Sequence, residues 1–227
     1  MNHLHPAILR CRVTATRLAA LCLAAAVPLA ARGGGLTFEQ AFSDRGEPGA
    51  LHYVVALESR GAEHRLEVWR DGDRRLKRRT DEAVEIYAFR EPRGPEFRMS
   101  ILDRKRRIHT RIDRTNLYRI GSFTDWFDLA HGLKHPRGSY RLVQARAPGG
   151  APKSVEPCRW YELVQEARTA HVCWSELSRI PLVIQTQDGR VSWRVTALDR
   201  RPIPASAFEI DDEGFVRNDA GADIEGD

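Results

Sequence analysis

The chain has 227 residues, of which 30% are charged, and its formal net charge is +5. Residues 1–31 hold three arginines and no acid, so the rest of the chain carries about +2. This length, without an internal repeat, predicts one domain with a buried core, and we find no second domain. Nucleic acid is not an expected partner, because no basic motif interleaved with aromatic residues is present.

Residues 1–31 have the composition of a secretory signal peptide. Three arginines precede an apolar run at 18–29, and no acid occurs before Glu39. The run is short for a membrane span, so we expect a cleaved signal and a periplasmic protein, with outer-membrane association left open. An uncleaved anchor is the alternative. Arg32 stands where the lipidated cysteine of a lipobox would stand, which leaves the lipidation state open.

Seven strands are predicted before residue 121, after a short helical turn at 38–42. Alternating apolar and polar residues predict them at 51–57, 64–71, 74–79, 83–90, 96–103, 105–112 and 116–120. The sequence Asp71-Gly72-Asp73 predicts a hairpin turn of type I′, because Gly72 supplies the positive φ.

A short amphipathic helix is predicted over residues 122–131. At about 100° per residue, its apolar side chains fall on one arc and its polar side chains on the other. Ser122 is a good N-cap, Gly132 suits the left-handed position after the helix, and Pro136 prevents its continuation. So short a helix is not stable alone in water, and we expect the sheet to cover its aromatic face.

Further strands are predicted at 139–145, around the two remaining cysteines, and at 182–187 and 190–198. A hairpin turning near Gln165-Glu166 would place Cys158 and Cys173 directly opposite each other. In an oxidising compartment this spacing predicts a disulfide that contributes about 3 kcal/mol, with a redox or metal pair as the alternative.

The C-terminal part is predicted to contain little regular structure. A short strand or helical turn is expected near Phe208, and the acidic residues of 211–227 predict a loose tail. The folded domain is therefore expected over residues 32–210.

These elements predict a mainly β fold. The strands are mostly sequential and antiparallel, with one helix inserted after the seventh. Such a sheet must curl to cover the helix and protect its edges. We expect a curved antiparallel sheet that forms a half-open, incomplete β-barrel, with the helix as its lid or plug.

Three segments carry a family resemblance: VWRDGD at 68–73, IPLVI at 180–184 and PIPASAFEI at 202–210. With the signal and the antiparallel meander, they make the chain similar to the periplasmic lipoprotein-carrier superfamily (LolA-like, outer-membrane lipoprotein sorting). The resemblance implies a half-open barrel with a helical lid and a hydrophobic cavity that holds the acyl chains of a lipoprotein. It implies no enzymatic activity and no cofactor.

Eight apolar or aromatic side chains form the candidate lipid site. They are Phe123, Trp126, Phe127, Leu129 and Leu133 in and after the helix, and Trp69, Tyr87 and Trp193 on strands. If the sheet parts from the helix, each CH₂ of a bound acyl chain contributes about 0.8 kcal/mol. The alternative is that these side chains are permanent core.

Six cations form a second candidate surface. Residues 70–119 hold 16 Lys and Arg against 9 Asp and Glu, and the candidates are Lys105, Arg107, Arg111, Arg75, Lys77 and Arg79. They would bind an anionic membrane surface or envelope protein, as in a structural or regulatory interaction protein. The alternative is pairing with acids of the chain itself, such as the acidic tail.

Catalytic signatures are not found. The sequence contains no GxSxG, HExxH or Walker motif. His131 and His135 have i,i+4 spacing, but Gly132 and Pro136 break the helix that would align them as metal ligands. We therefore expect neither an enzyme nor a metal site, and the oligomeric state is left open.

Overall fold

The fold is known from a computed structural model, which describes residues 35–91, 96–112 and 125–219. Within these ranges, helix α1 covers Phe38–Ala41, helix α2 covers Trp126–His131, and a 3-10 turn covers Ala205–Phe208. Strands β1 to β12, in chain order, are Ala50–Ser59, Ala62–Asp71, Arg75–Thr80, Val84–Arg90, Phe97–Asp103, Ile108–Ile112, Tyr140–Gln144, Arg159–Gln165, Arg168–Trp174, Pro181–Thr186, Val191–Asp199 and Val216–Asp219.

These strands form one sheet in the order β12-β6-β5-β4-β3-β2-β1-β11-β10-β9-β8-β7. Neighbouring strands run antiparallel, except that β12 lies parallel to β6. Within the described ranges β12 and β7 are the two edge strands and do not pair with each other, so the sheet is not closed. The predicted mainly β, half-open barrel with a small inserted helix is confirmed. The strand predicted at 116–120 lies outside the described residues.

The sheet has two faces because successive side chains of a strand point in opposite directions. We call the face that contacts α2 the inner face and the opposite one the outer face. Inner-face residues are among the most buried of the described chain: Leu51, Tyr53, Val55, Leu66, Val68, Leu76, Ala88, Met99 and Ile112. One apolar cluster joins them to Trp126, Leu129 and Ala130 of α2.

Helix α2 begins at Trp126, four residues later than predicted. Its N-cap is Asp125, whose carboxylate accepts hydrogen bonds from the backbone N–H of Phe127 at 2.6 Å and of Asp128 at 3.4 Å. The prediction of Ser122 as the N-cap of this helix is therefore wrong, because Asp125 occupies that role. Residues 122–124 lie outside the described ranges. The predicted role of Gly132 is confirmed, since it ends α2 at φ +69°.

Helix α1 and strands β7 to β9 enclose a second apolar cluster. Thr37 caps α1 with a reciprocal capping box, which explains how so short a helix is fixed. Phe42 packs edge-on against Tyr161 at 5.2 Å between ring centroids and lies 5.3 Å from Trp174. This cluster closes the inner face beside the β7 edge.

The predicted disulfide between Cys158 and Cys173 is confirmed, with a Cα–Cα distance of 5.4 Å. The predicted register is wrong by two residues, because Cys173 pairs with Trp160 and not with Cys158. Cys158 lies just before β8 and reaches Cys173 diagonally. The reason is that the hairpin turns at Glu166-Ala167, between the paired Gln165 and Arg168, one residue later than predicted.

The chain after β11 crosses the outer face, and we call residues 200–219 the strap. Phe208 of its 3-10 turn is buried, and the Arg75 guanidinium lies 4.7 Å from the Phe208 ring centroid. Val216–Asp219 then forms β12 against β6. The loose tail predicted from residue 211 is thus wrong for these four residues, whose backbone pairs with β6. Residues 220–227 lie outside the described ranges.

The described residues belong to one compact unit, Gly35–Asp227. None of the helices in the described ranges has the length and apolar character needed to cross a membrane. The predicted signal peptide, residues 1–31, lies outside those ranges.

Candidate functional site

The contact between α2 and the inner face, which we call the seam, is apolar at its centre. Leu129 and Ala130 are at most 1% exposed, and Trp126 is 9% exposed. The Trp126 ring lies edge-on to Phe97 of β5, at 5.5 Å between centroids. At the other end of the helix, Trp193 of β11 packs against Gly132. Three predicted residues, Trp126, Leu129 and Trp193, therefore meet at the seam.

Two hydrogen bonds from the sheet hold the C-terminal end of α2. The Tyr53 hydroxyl donates to the Ala130 carbonyl at 3.3 Å, and the Arg78 guanidinium donates to the Leu129 carbonyl at 3.1 Å. Carbonyls in the last turn lack partners within the helix, so these donors satisfy groups that would otherwise be unpaired. Burial raises the pKa of Tyr53 and lowers that of Arg78.

A buried ionic cluster lies beside the seam. The Glu47 carboxylate accepts a hydrogen bond from His131 Nε2 at 3.1 Å and lies 3.3 Å from the Arg70 guanidinium. Arg70 also donates to the Ser178 carbonyl at 3.2 Å, and its side chain is fully buried. Burial raises the pKa of Glu47, but the His131 hydrogen bond and the Arg70 charge outweigh it and lower the pKa overall.

Phe127 and Leu133 belong to the second cluster. Phe127 stacks on His131 at 4.1 Å between ring centroids and lies 5.6 Å from Phe38 of α1. Leu133 is buried in the same cluster. These two predicted lipid-site residues therefore face α1 and β7 to β9. Phe123 lies outside the described residues.

Trp69 and Tyr87 lie on the outer face, so the prediction that they share an interior with α2 is wrong. The physical reason is the two-residue period of a strand: Val68 contacts the seam cluster, and its neighbour Trp69 points away from it. Trp69 stacks on His52 at 4.9 Å. The Lys77 ammonium lies 5.3 Å from the Trp69 ring and 5.0 Å from the Tyr87 ring.

The predicted cations of β3 also lie on the outer face, and each is paired with an acid of the chain. Arg75 contacts Asp71 at 2.6 Å, Lys77 contacts Glu85 at 3.6 Å, and Arg79 contacts Glu67 at 2.7 Å. Burial raises the pKa of Glu67, but hydrogen bonds from Arg65, Arg79 and His52 outweigh it and hold the pKa at about 2. For these three cations the structure therefore shows the alternative, in which they pair with acids of the chain itself.

The other three cations do not form the continuous row that the strand pattern predicts. Lys105 and Arg107 lie in the turn before β6, where Arg107 has a positive φ of 56°. Arg107 donates to the Glu213 carbonyl of the strap at 3.1 Å. Arg111 alone lies within β6, where it is exposed. The row is interrupted because residues 104–107 form a turn and β6 begins only at Ile108.

Asp125, Asp128 and His135 bring ligand atoms within 4.8 Å of one another. Each group already has a local role. Asp125 caps α2, and one Asp128 oxygen accepts from the backbone N–H of His135 at 3.1 Å and contacts His135 Nδ1 at 2.9 Å. Helix capping by Asp125 and the contacts between Asp128 and His135 therefore account for the proximity of these groups.

Sequence reasoning missed the polar residues at the seam. Arg70 and Arg78 are inner-face residues, although charged side chains are rarely buried. The available signal was their position relative to Val68. Arg70 lies two residues after Val68 in β2, and Arg78 of β3 pairs with Val68, so both arginines lie on the same face of the sheet as Val68. Glu47 lies in the loop before β1, and no local pattern connects it with His131.

No family model matches this chain, and no curated protein matches it. The similarity to the LolA-like superfamily therefore stays a prediction from the three quoted segments.

Proposed function

We propose that this protein is a non-enzymatic, periplasmic lipid- or lipoprotein-binding protein of the carrier or sorting type. An acyl chain would lie against the inner face at the seam. The observation that carries the proposal is an unclosed sheet whose apolar inner face is covered by a helix of only six residues.

The free energy of burial favours replacement of the apolar contacts of α2 by a bound acyl chain. Trp126 and Leu129 together gain about 3–6 kcal/mol from burial, taking about 1.5–3 kcal/mol for each side chain. A saturated chain of about sixteen carbons gains about 12 kcal/mol at 0.8 kcal/mol per CH₂. An acyl chain therefore competes successfully with the apolar contacts of α2.

The helix is also suited to move. At six residues it is about 9 Å long, which is far below the length at which a helix is stable alone. Its position therefore depends on the seam and on the hydrogen bonds from Tyr53 and Arg78. An acyl chain that replaces the apolar contacts leaves these two bonds, at about 1 kcal/mol net each, and the His131–Glu47 hydrogen bond to be broken.

The disulfide supports the proposed location. Disulfides persist in oxidising compartments such as the bacterial periplasm, and the Cys158–Cys173 bond fits the predicted secretory signal.

Uptake of a fluorescent long-chain fatty acid by delipidated protein tests the proposal. We expect saturable uptake by the native protein and at least about tenfold weaker uptake by Trp126→Asp, because a carboxylate at the seam opposes apolar burial. Leu177→Asp is the matched control, because Leu177 is exposed and does not belong to the seam cluster.

Circular dichroism in the strand region checks that each variant keeps its sheet, and Trp126→Gln replaces Trp126→Asp if the latter does not fold. Absence of uptake by the native protein would refute the proposal. Equal uptake by folded Trp126 and Leu177 variants would also refute it.

A further inference from the structure

A groove of about 660 Å³ lies on the outer face, between the strap and strands β4 to β6. Its apolar wall includes Phe89 of β4 and Phe208 and Ile210 of the strap. Volumes of about 300–1,000 Å³ are typical of small-molecule sites. The groove is on the side of the sheet opposite to the seam.

His109 lines this groove and has one unsatisfied ring nitrogen. Its side chain is 1% exposed, and its Nδ1 lies 2.6 Å from the Asp212 carboxylate. Hydrogen bonds from Arg217 and His109 hold the pKa of Asp212 well below its usual range, so Asp212 is a carboxylate and His109 Nδ1 donates to it. The buried Nε2 atom has no hydrogen-bond partner among the described residues. Buried polar atoms are normally paired, so this nitrogen indicates a missing partner.

The charged residues around the groove favour an anion as that partner. Three arginines and two aspartates line it, and Asp212 is already neutralised by Arg217. Arg111 is exposed and forms no ion pair with any described residue; it lies opposite Ser100 of β5 on one side and opposite Asp219 of β12 on the other. Arg98 lies opposite Phe89 and has its guanidinium 5.6 Å from that ring.

We propose that this groove binds a compact amphipathic anion, with its carboxylate or phosphate head at His109, Ser100 and Arg111. Its short alkyl or aromatic body lies against Phe89, Phe208 and Ile210. The head can accept a hydrogen bond from His109 Nε2 when that nitrogen carries a hydrogen, and guanidinium groups such as that of Arg111 recognise such oxyanions well. The apolar wall selects for a ligand with a hydrophobic body over a plain anion.

Calorimetric titration of the full chain with four probes tests the site. Phenyl phosphate and phenylacetate carry both parts, inorganic phosphate carries only the head, and benzyl alcohol carries only the body. We expect one of the two amphipathic anions to bind at least about tenfold more tightly than inorganic phosphate and benzyl alcohol. The better of the two identifies the head group.

Arg111→Gln and His109→Gln are each expected to weaken that binding at least about tenfold. Arg146→Gln is the matched control, because Arg146 is an exposed arginine beyond β7, at the opposite edge of the sheet, and it is expected to change nothing. Inorganic phosphate binding as tightly as the aromatic anions would overturn the proposal, and so would binding that Arg111→Gln leaves unchanged. These probes lack a long acyl chain, so either result is independent of fatty-acid uptake at the seam.

Discussion

Replacing Arg70 by alanine is expected to lower the free energy of unfolding by about 3–5 kcal/mol, because removing one partner of a buried ion pair leaves the other uncompensated. The Arg70 side chain is fully buried and joins Glu47 to the Ser178 carbonyl, so its loss affects two connections at once. Urea unfolding of the native protein and the variant measures the difference.

Arg65→Ala is the matched control for this prediction. Arg65 lies in the same strand and pairs with Glu67, but its side chain is 55% exposed. Exposed pairs contribute about 1 kcal/mol or less, so this variant should remain close to the native protein. Equal losses for Arg65→Ala and Arg70→Ala would show that the buried cluster beside the seam does not stabilise the fold.

Gly132→Ala is expected to destabilise the protein by about 2–5 kcal/mol, from the strain of a left-handed residue and from overpacking. A Cβ atom at Gly132 would lie 2.9 Å from Trp193 Cζ3 and closer still to Cη2. Trp193 has little freedom to move away, because its ring N–H donates to the Pro181 carbonyl at 2.9 Å. Thermal unfolding measures the loss.

Gly138→Ala separates the cost of backbone strain from the cost of the steric contact with Trp193. Gly138 has a similar φ of +78°, but no atom lies within 4 Å of the position of its Cβ. Only the strain of about 1–2 kcal/mol is expected there. If Gly132→Ala cost no more than Gly138→Ala, α2 would not end against Trp193.

The strands and the half-open sheet were predictable because they follow from local patterns. Alternation of Leu51, Tyr53 and Val55 marks β1, and the positive φ of Gly72 and Gly189 marks two turns. β12 was not predictable in this way. Its four residues, Val-Arg-Asn-Asp, are all exposed, and they form a strand because their backbone pairs with β6.

The assignment of residues to faces was only partly predictable. Trp69 and Tyr87 are large and aromatic, which suggested the core around α2, but the outer face has its own buried layer. Applying the two-residue period from Val68 would have placed Trp69 outside and Arg70 inside. That assignment requires a buried arginine, which only the distant partners Glu47 and Ser178 make acceptable.

The disulfide illustrates a different limit. The two cysteines were identifiable as a pair, but moving the turn by one residue changes every cross-strand partner by two. No glycine marks this turn, and Glu166 itself adopts the positive φ of 54°. The sequence therefore lacked the signal that fixes the register.

Quenching of tryptophan fluorescence by a brominated long-chain fatty acid tests the proposed lipid site most directly, because bromine quenches only rings that it approaches closely. Trp126 and Trp193 lie at the seam and Trp69 lies on the outer face. We predict saturable quenching that Trp69→Phe leaves intact and that a Trp126→Phe, Trp193→Phe double variant largely removes. Quenching that is absent, or that disappears with Trp69→Phe alone, would contradict acyl-chain binding between α2 and the sheet.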